Sequence, residues 1–254
     1  AVVSSAAEEE VPVKRGSAVY LFGDFTVYDR AGRDITYMFS NKLKQLFIYI
    51  LVESAEGTGV LSSSLNTLFW PDKDDAKVKN LLGATILITS GCMPLKKTLA
   101  EMDGITLNYS KGFFNITLSD ECFCDYMHAA EYAGQPERAK DLLPLLARGK
   151  FLKGIDDDLF DQIKGRTEDR LLGWLLSWLN RQDELLKRSD VLSVCQLVFE
   201  IDPLNEQALQ AALNVCKEQK MRGEAQKIYS QFAREYKRMQ GKEYPLSMDE
   251  LLKG

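Results

Sequence analysis

Seven polar side chains in the middle of the chain have the chemistry needed to contact a nucleic acid: Lys77, Lys79, Asn80, Thr85, Lys96, Lys97 and Lys111. A lysine ammonium group pairs with phosphate or with the acceptors of guanine, and an asparagine amide bridges the edge of adenine. The stretch 76–100 contains four of these lysines and no acidic residue. An ordinary solvated helix face, or an ordinary hairpin turn around Lys111, explains the same residues, so both interpretations stay open.

Patterns that would indicate catalysis or a metal site are incomplete. Cys122 and Cys124 form a C-x-C pair without a second ligand pair, and the only histidine, His128, has no nucleophile motif around it. The acidic run 156–158 lacks the spacing of a calcium loop, and no Gly-rich phosphate loop is present. We therefore expect a protein that is not an enzyme and that binds no cofactor or metal.

Composition indicates an ordinary soluble protein with room for two domains. The chain has 254 residues, of which 45% are hydrophobic, enough for two separate cores. Its apolar stretches fall well short of the roughly 20 residues that span a bilayer, so we expect no membrane contact by this segment. Five irregularly spaced cysteines indicate a reducing compartment, and we expect a cytoplasmic location.

The first 17 residues differ from the rest of the chain. They are acidic, rich in small residues and aperiodic, which predicts a disordered linker for residues 1–17. The acidic start is unlike the basic n-region of a signal peptide, and the sequence does not begin with Met. We leave open that the chain is a fragment of a longer protein.

Residues 18–120 predict a small mixed domain. Alternating apolar residues predict an antiparallel meander from about Ala18 to Phe39, and the spacing of Leu43, Leu46, Phe47, Ile50 and Leu51 predicts a helix capped by Ser40 or Asn41. A second helix is predicted from Ser62 to Phe69, and a hairpin from Ile105 to Leu118. The resulting order is sheet, three helices and hairpin.

The third helical segment, 76–99, is interrupted at Ser90-Gly91-Cys92-Met93-Pro94. Because proline disfavours helical geometry in the preceding residue, one continuous helix is not expected. Either a helix from about Asp75 to Thr89 is followed by a break and a helical turn, or this element is remodelled.

Residues 121–254 predict helix pairs. The helix start at Ser189-Asp190 recurs at Gly223-Glu224, an offset of 223 − 189 = 34 positions, which is the period of tetratricopeptide helix pairs. Ala225, Phe232 and Tyr236 belong to an apolar stripe on the last long helix, whose other face is polar. Such stacked pairs are binding scaffolds rather than catalysts.

This order of elements resembles regulators of the antibiotic-regulatory-protein type, in which an OmpR/PhoB-type winged helix precedes a bacterial transcriptional activator domain. The resemblance spans about residues 18 to 250. The matching residues are Leu21-Phe22-Gly23-Asp24-Phe25-Thr26-Val27, Lys44-Gln45-Leu46-Phe47, Leu65 to Pro71, Lys79-Asn80, Leu95-Lys96-Lys97-Thr98-Leu99, Gly149-Lys150-Phe151-Leu152-Lys153-Gly154 and Asp202-Pro203-Leu204-Asn205-Glu206.

The resemblance implies a mostly α fold with a small β part: an OmpR-like winged helix-turn-helix domain at 18–120 and a tetratricopeptide-like helical domain at 121–254. It also implies that the third helix enters the major groove of double-stranded DNA, that the hairpin wing meets the backbone, and that the helical domain binds itself or a protein partner.

Charge leaves two functions open. Residues 18–120 contain ten Lys and Arg against eleven Asp and Glu, a net charge of −1, whereas DNA-binding modules are usually basic. We expect a DNA-binding transcriptional regulator. The alternative is a signalling or scaffold module that does not bind DNA, such as the cytoplasmic output part of a longer sensor, with a degenerate winged helix.

Overall fold

The structure of the protein is a computed structural model that describes residues 16–57, 59–69, 92–132, 135–181 and 186–253. The described residues group into two compact units. The first runs to Ala130 and includes Leu152–Phe160, and the second comprises Glu131–Phe151 and the residues from Asp161 onward. The predicted domain boundaries, between residues 17 and 18 and between residues 120 and 121, remain predictions.

A three-stranded sheet with the order β2-β1-β6 lies in the first unit. Its strands are β1 (Ser17–Tyr20), β2 (Thr26–Tyr28) and β6 (Cys122–Cys124). Strand β1 pairs with β2 antiparallel and with β6 parallel. The predicted antiparallel meander from about Ala18 to Phe39 is therefore only partly correct. Strands β1 and β2 pair antiparallel, but Thr36–Met38 forms a 3-10 helix instead of a strand, and β6 lies on the other edge of β1.

Two helices of the first unit match their predicted positions. Helix α1 (Asn41–Ala55) buries all five residues of the predicted apolar stripe, and the Ser40 hydroxyl accepts a hydrogen bond from the Leu43 amide at 3.4 Å. Helix α2 (Ser62–Phe69) follows the two-residue strand β3 (Val60–Leu61) and buries Leu65 and Phe69. Their apolar faces stabilise the unit, since each large buried side chain contributes about 1.5–3 kcal/mol.

The third described helix of this unit, α3 (Met93–Leu99), leads into a hairpin. Strands β4 (Ile105–Ser110) and β5 (Phe113–Leu118) pair antiparallel, and β3 joins them in the order β3-β5-β4. Residues 70–91, which contain most of the predicted third helical segment, lie outside the described residues.

The second unit is helical. Helix α4 (Asp125–Tyr132) begins in the first unit and ends in the second. The remaining helices are α5 (Ala139–Leu146), α6 (Asp161–Asn180), α7 (Arg188–Ile201), α8 (Glu206–Glu218), α9 (Arg222–Gln240) and α10 (Met248–Leu251).

Two helix starts expected from the sequence are wrong. The apolar pattern predicts a helix from Phe123, but Phe123 lies in β6, where it pairs with Ala18 of a strand more than a hundred residues away. The pattern also predicts a helix from Glu168, but α6 starts at Asp161. The stretch 161–168 contains few apolar residues. Its two buried residues, Ile163 and Thr167, therefore show no apolar periodicity from which a helix could be predicted.

The pairs α7–α8 and α8–α9 form the end of the helical unit. Asn205 caps α8 by accepting a hydrogen bond from the Ala208 amide at 3.0 Å. Phe232 of the predicted stripe joins a buried cluster with Leu209 and Leu213, and Tyr244 closes this cluster from the segment after α9. The polar residues of the opposite α9 face are exposed, as predicted.

These two units confirm the predicted fold class, a mostly α protein with a small β part in which a winged-helix unit precedes a helical unit. None of the described helices is long and apolar enough to cross a membrane.

Candidate nucleic-acid interface

Helix α3 presents two of the predicted lysines to solvent. Leu95 and Leu99 are buried on one face, whereas Lys96 and Lys97 are exposed on the other. Met93, on the first turn, is 59% exposed. The helix thus combines an anchored apolar face with an exposed basic one, and neither lysine forms an ion pair with another residue described by the structure.

Local sequence explains why this short segment is helical. Pro94 lies in the first turn, where its missing N–H costs no hydrogen bond, and Lys96 and Lys97 lie in the last turn, where cations favour the negative end of the helix dipole. This helix begins at Met93, inside the predicted break at 90–94, and the predicted helix from about Asp75 to Thr89 lies outside the described residues.

Arg30 forms hydrogen bonds with the carbonyl groups at the carboxyl end of α3. Its backbone N–H donates to the Glu101 carbonyl oxygen at 3.1 Å, and its guanidinium donates to the same oxygen at 3.2 Å and to the carbonyl oxygen of Ala100. These bonds satisfy carbonyl groups that a helix end leaves without partners. Arg30 is therefore a positioning residue for the basic face of α3.

The third described candidate, Lys111, lies at the tip of the β4–β5 hairpin. Ser110 pairs with Phe113, so Lys111 and Gly112 alone form the turn, with φ of 51° and 86°. Two positive φ values are typical of a type I′ turn, whose twist matches the flanking strands. The Gly112 carbonyl oxygen accepts a hydrogen bond from the Ser62 amide at 2.9 Å, which ties the turn to the start of α2.

An aromatic residue that was not among the predicted contacts, Tyr109, lies two positions before Lys111. Tyr109 is 57% exposed and packs its ring against that of Phe114, with centroids 4.6 Å apart. The sequence could have indicated Tyr109, because an aromatic residue near the end of a wing strand lies beside the turn. Tyr109 therefore extends the exposed end of the hairpin.

The remaining predicted contacts, Lys77, Lys79, Asn80 and Thr85, lie outside the described residues. The structure places Lys96 and Lys97 on one helix face and Lys111 on the hairpin of the same unit. The role of all seven residues stays a prediction.

Cysteines of the same unit are unsuited to nucleophilic chemistry. Burial raises the pKa of the Cys92 thiol to about 12, although the nearby Lys96 ammonium acts in the opposite direction. Burial also raises the pKa of Cys122 to about 12 and that of Cys124 well above its usual value. These thiols stay protonated at neutral pH, where the thiolate is the reactive form.

The other groups considered for chemistry have structural partners. Asp157 accepts a hydrogen bond from the Leu159 amide at 3.0 Å, as expected for a helix-start cluster. His128 places Nδ1 3.0 Å from the Cys124 carbonyl oxygen. Within the described ranges, no group of three or more His, Cys, Asp or Glu residues is arranged to hold a metal ion.

Comparison with known proteins identifies a shared fold. The chain is similar to Mycobacterium tuberculosis EmbR, whose structure was solved in complex with a low affinity phosphopeptide. The TM-score is 0.60 at 15% sequence identity, over 94% of this chain and 65% of the EmbR chain. EmbR also combines a winged helix with a helical domain. No protein-family model and no curated protein sequence matches the chain.

Proposed function

We propose that this chain is a cytoplasmic, DNA-binding transcriptional regulator, in which the winged-helix unit contacts double-stranded DNA and the helical unit mediates dimerisation or receives a signal. The observation that carries the proposal is the exposed basic face of α3, with Lys96 and Lys97, followed directly by a hairpin with Lys111 at its tip. The fold shared with EmbR supports it.

Affinity should come mainly from phosphate contacts. Each lysine that neutralises a phosphate releases a counterion, and the logarithm of the association constant then falls with the logarithm of salt concentration by about 0.9 per contact. Because residues 18–120 carry a net charge of −1, attraction must come from the local lysines rather than from the unit as a whole. We therefore expect binding that is weak and strongly sensitive to salt.

A fluorescence-polarisation titration of labelled duplex DNA of mixed sequence, at low salt, tests this function. We expect saturable binding that weakens as salt rises. Changing Lys77 and Lys79 together to Glu should weaken it further, because two favourable charges become repulsive. Binding that is absent at low salt, or that does not respond to salt, would contradict the proposal.

The alternative function is a signalling or scaffold module that does not bind DNA. The net charge of −1 carried by residues 18–120 favours it. The same titration separates the two functions, since a scaffold module shows no duplex binding even at the lowest salt concentration.

A further inference from the structure

The hairpin that carries Lys111 is attached at two points to the segment that runs from the end of α1 to the start of α2. At the first point, on β5, the Ile116 amide donates a hydrogen bond to the Ser54 hydroxyl at 2.9 Å. At the second, in the turn, the Gly112 carbonyl oxygen accepts a hydrogen bond from the Ser62 amide at 2.9 Å. The two points are about 13 Å apart along an extended chain, so together they fix the direction of the hairpin.

The Ser54 hydroxyl takes the place of a neighbouring strand beside β5. Strand β3 pairs with Phe113 and Phe114 and ends before it reaches Ile116. Helix α1 packs against β5, and Ser54 lies half-buried in the last turn of that helix. Its hydroxyl donates to the Ile50 carbonyl oxygen at 2.5 Å while it accepts from the Ile116 amide. An alanine at this position would therefore leave that amide without its partner.

The chain between the two points also lies close to β5. Gly59 has a φ of 79°, and a Cβ atom at this position would lie 2.8 Å from the Asn115 Cβ and closer still to the Phe114 carbonyl oxygen. A larger residue would push β5 away from this segment, because packed atoms do not approach so closely. Glycine at position 59 is thus a second, independent sign that the hairpin is held tightly against this part of the unit.

We propose that Ser54 and Ser62 are positioning residues for DNA binding, which hold the hairpin so that the Lys111 ammonium meets a phosphate of the duplex. Ser54 acts through its hydroxyl, and Ser62 acts through its backbone amide. When either bond is lost, the hairpin rotates about the remaining point, and ordering Lys111 on the phosphate then costs part of the binding free energy. The inference deepens the proposed function and rests on it.

Two variants test the role of Ser54. Ser54→Ala removes the hydroxyl, and duplex affinity at low salt should fall by about threefold, which is less than the loss of a whole phosphate contact. Ser54→Thr keeps a hydroxyl that can bond the carbonyl four residues earlier in a helix, so its affinity should stay within about 1.5-fold of the wild type. Hydrogen exchange of the Ile116 amide should be faster in Ser54→Ala than in Ser54→Thr, which verifies the loss of the bond.

Ser62→Pro tests the second point of attachment. Ser62 is the first residue of α2, where proline is favourable, and Leu61 before it lies in a strand, which proline also accepts. The variant keeps the start of α2 but lacks the amide that bonds Gly112. Duplex affinity should again fall by about threefold at low salt.

The matched control is Ser193→Ala in the helical unit. The Ser193 hydroxyl also donates to the carbonyl oxygen four residues earlier, that of Ser189, at 3.4 Å. Its removal changes the same chemical group on a helix, and duplex affinity should stay unchanged. Thermal melting verifies that all variants are folded at the temperature of the titration.

Double variants with Lys111→Asn separate positioning from a general loss of stability. If Ser54 and Ser62 act through Lys111, replacing either of them should change affinity by less than about 1.5-fold once Lys111 is absent, because the contact they position is already lost. A general destabilisation would instead lower affinity to the same extent with and without Lys111.

The inference is overturned if Ser54→Ala and Ser62→Pro bind the duplex as tightly as the wild type, or if their effects add to that of Lys111→Asn. It is also overturned if Ser54→Thr keeps the Ile116 bond but binds as weakly as Ser54→Ala. In these cases the wild type still binds duplex DNA, and the proposed function stands. A wild type that does not bind the duplex at low salt contradicts the proposed function and the positioning role together.

Discussion

The Asp125 carboxylate accepts a hydrogen bond from the Leu21 backbone amide at 2.8 Å, across 104 positions of the chain. Its second oxygen accepts one from the Phe22 amide at 2.9 Å, and Asp125 itself is fully buried. Two backbone donors just after β1 are thus satisfied by one side chain at the start of α4. These bonds support the parallel pairing of β1 with β6.

Asp125→Asn should lower the free energy of unfolding by about 2–4 kcal/mol, because the amide has only one acceptor oxygen for two buried N–H groups. Urea denaturation followed by circular dichroism measures the change. Asp120→Asn, an exposed change five residues earlier, is the control and should cost less than about 0.5 kcal/mol. Equal destabilisation of the two variants would show that the buried carboxylate has no special role.

Lys111→Asn separates charge from turn geometry in the wing. Asparagine tolerates the positive φ of 51° at this position, so stability should change by no more than about 0.5 kcal/mol. Duplex affinity should fall by about fivefold at low salt, because one phosphate is no longer neutralised. Fluorescence polarisation measures the affinity, and thermal melting verifies the stability.

The matched control for that variant is Lys220→Asn. Lys220 is also an exposed lysine with positive φ, 58°, but it lies in the helical unit. Its replacement changes charge and backbone preference in the same way, and duplex affinity should stay unchanged. A parallel decrease in both variants would indicate a nonspecific effect of net charge.

Much of the fold can be predicted from the sequence, because the residue patterns that define its helices and turns are local. The spacing of Leu43, Leu46 and Phe47 defines α1, and the turn at Lys111-Gly112 defines the hairpin. Strand β6 was not predicted, because three residues of the type Cys-Phe-Cys carry no strand period, and their pairing with β1 is non-local.

The basic face of α3 and the groove of the helical unit also differ in how well the sequence predicts them. The exposed basic face of α3 follows from local periodicity, so Lys96 and Lys97 are identifiable in the sequence. A groove in the helical domain was expected as a partner surface, but the residues that line it were not, because Glu200 and Glu235 are 35 positions apart and line one groove only when α7 and α9 pack on either side of α8.

Acid should remove the stabilising role of Asp29. The Arg33 amide donates to its carboxylate and lowers its pKa; burial opposes this, while the Arg33 guanidinium and the Ala31 amide add to the lowering. A carboxylate with a lowered pKa in the folded state stabilises the fold above its unfolded pKa of about 3.9, and this contribution is lost as the pH falls through the folded pKa.

Asp29→Asn should therefore be less stable than the wild type at pH 7, and the gap should narrow as the pH falls below about 4. Urea midpoints of both proteins across this range measure the effect. Asp24→Asn, at an exposed position of the same unit, serves as the control. A gap that stays constant down to the lowest pH would contradict the assignment to the ionised carboxylate.

High pH should reduce the contribution of the buried Cys195 to stability. Burial, with a smaller contribution from Cys216, raises the pKa of the Cys195 thiol to about 12. An unfolded thiol loses its proton from about pH 8.5, whereas the folded one keeps it. The unfolded state therefore binds fewer protons, and the contribution of Cys195 to stability falls as the pH rises.

Cys195→Ala isolates this effect. At pH 7 the variant should be less stable by about 1–2 kcal/mol, because it leaves a small cavity. The gap should shrink by about 1.4 kcal/mol for each pH unit above 8.5, since the variant has no thiol to titrate. Urea denaturation at pH 7, 9 and 10 gives the three values, and parallel curves would refute the buried neutral thiol.

The most direct test of DNA binding is the salt dependence of duplex affinity for the wild type and for a variant that combines Lys96→Gln, Lys97→Gln and Lys111→Asn. If these lysines pair with phosphates, the slope of log affinity against log salt should become shallower by about 2 to 3, close to one for each lysine replaced. Identical slopes for the two proteins, or a wild type that does not bind duplex DNA at low salt, would contradict DNA binding by this surface.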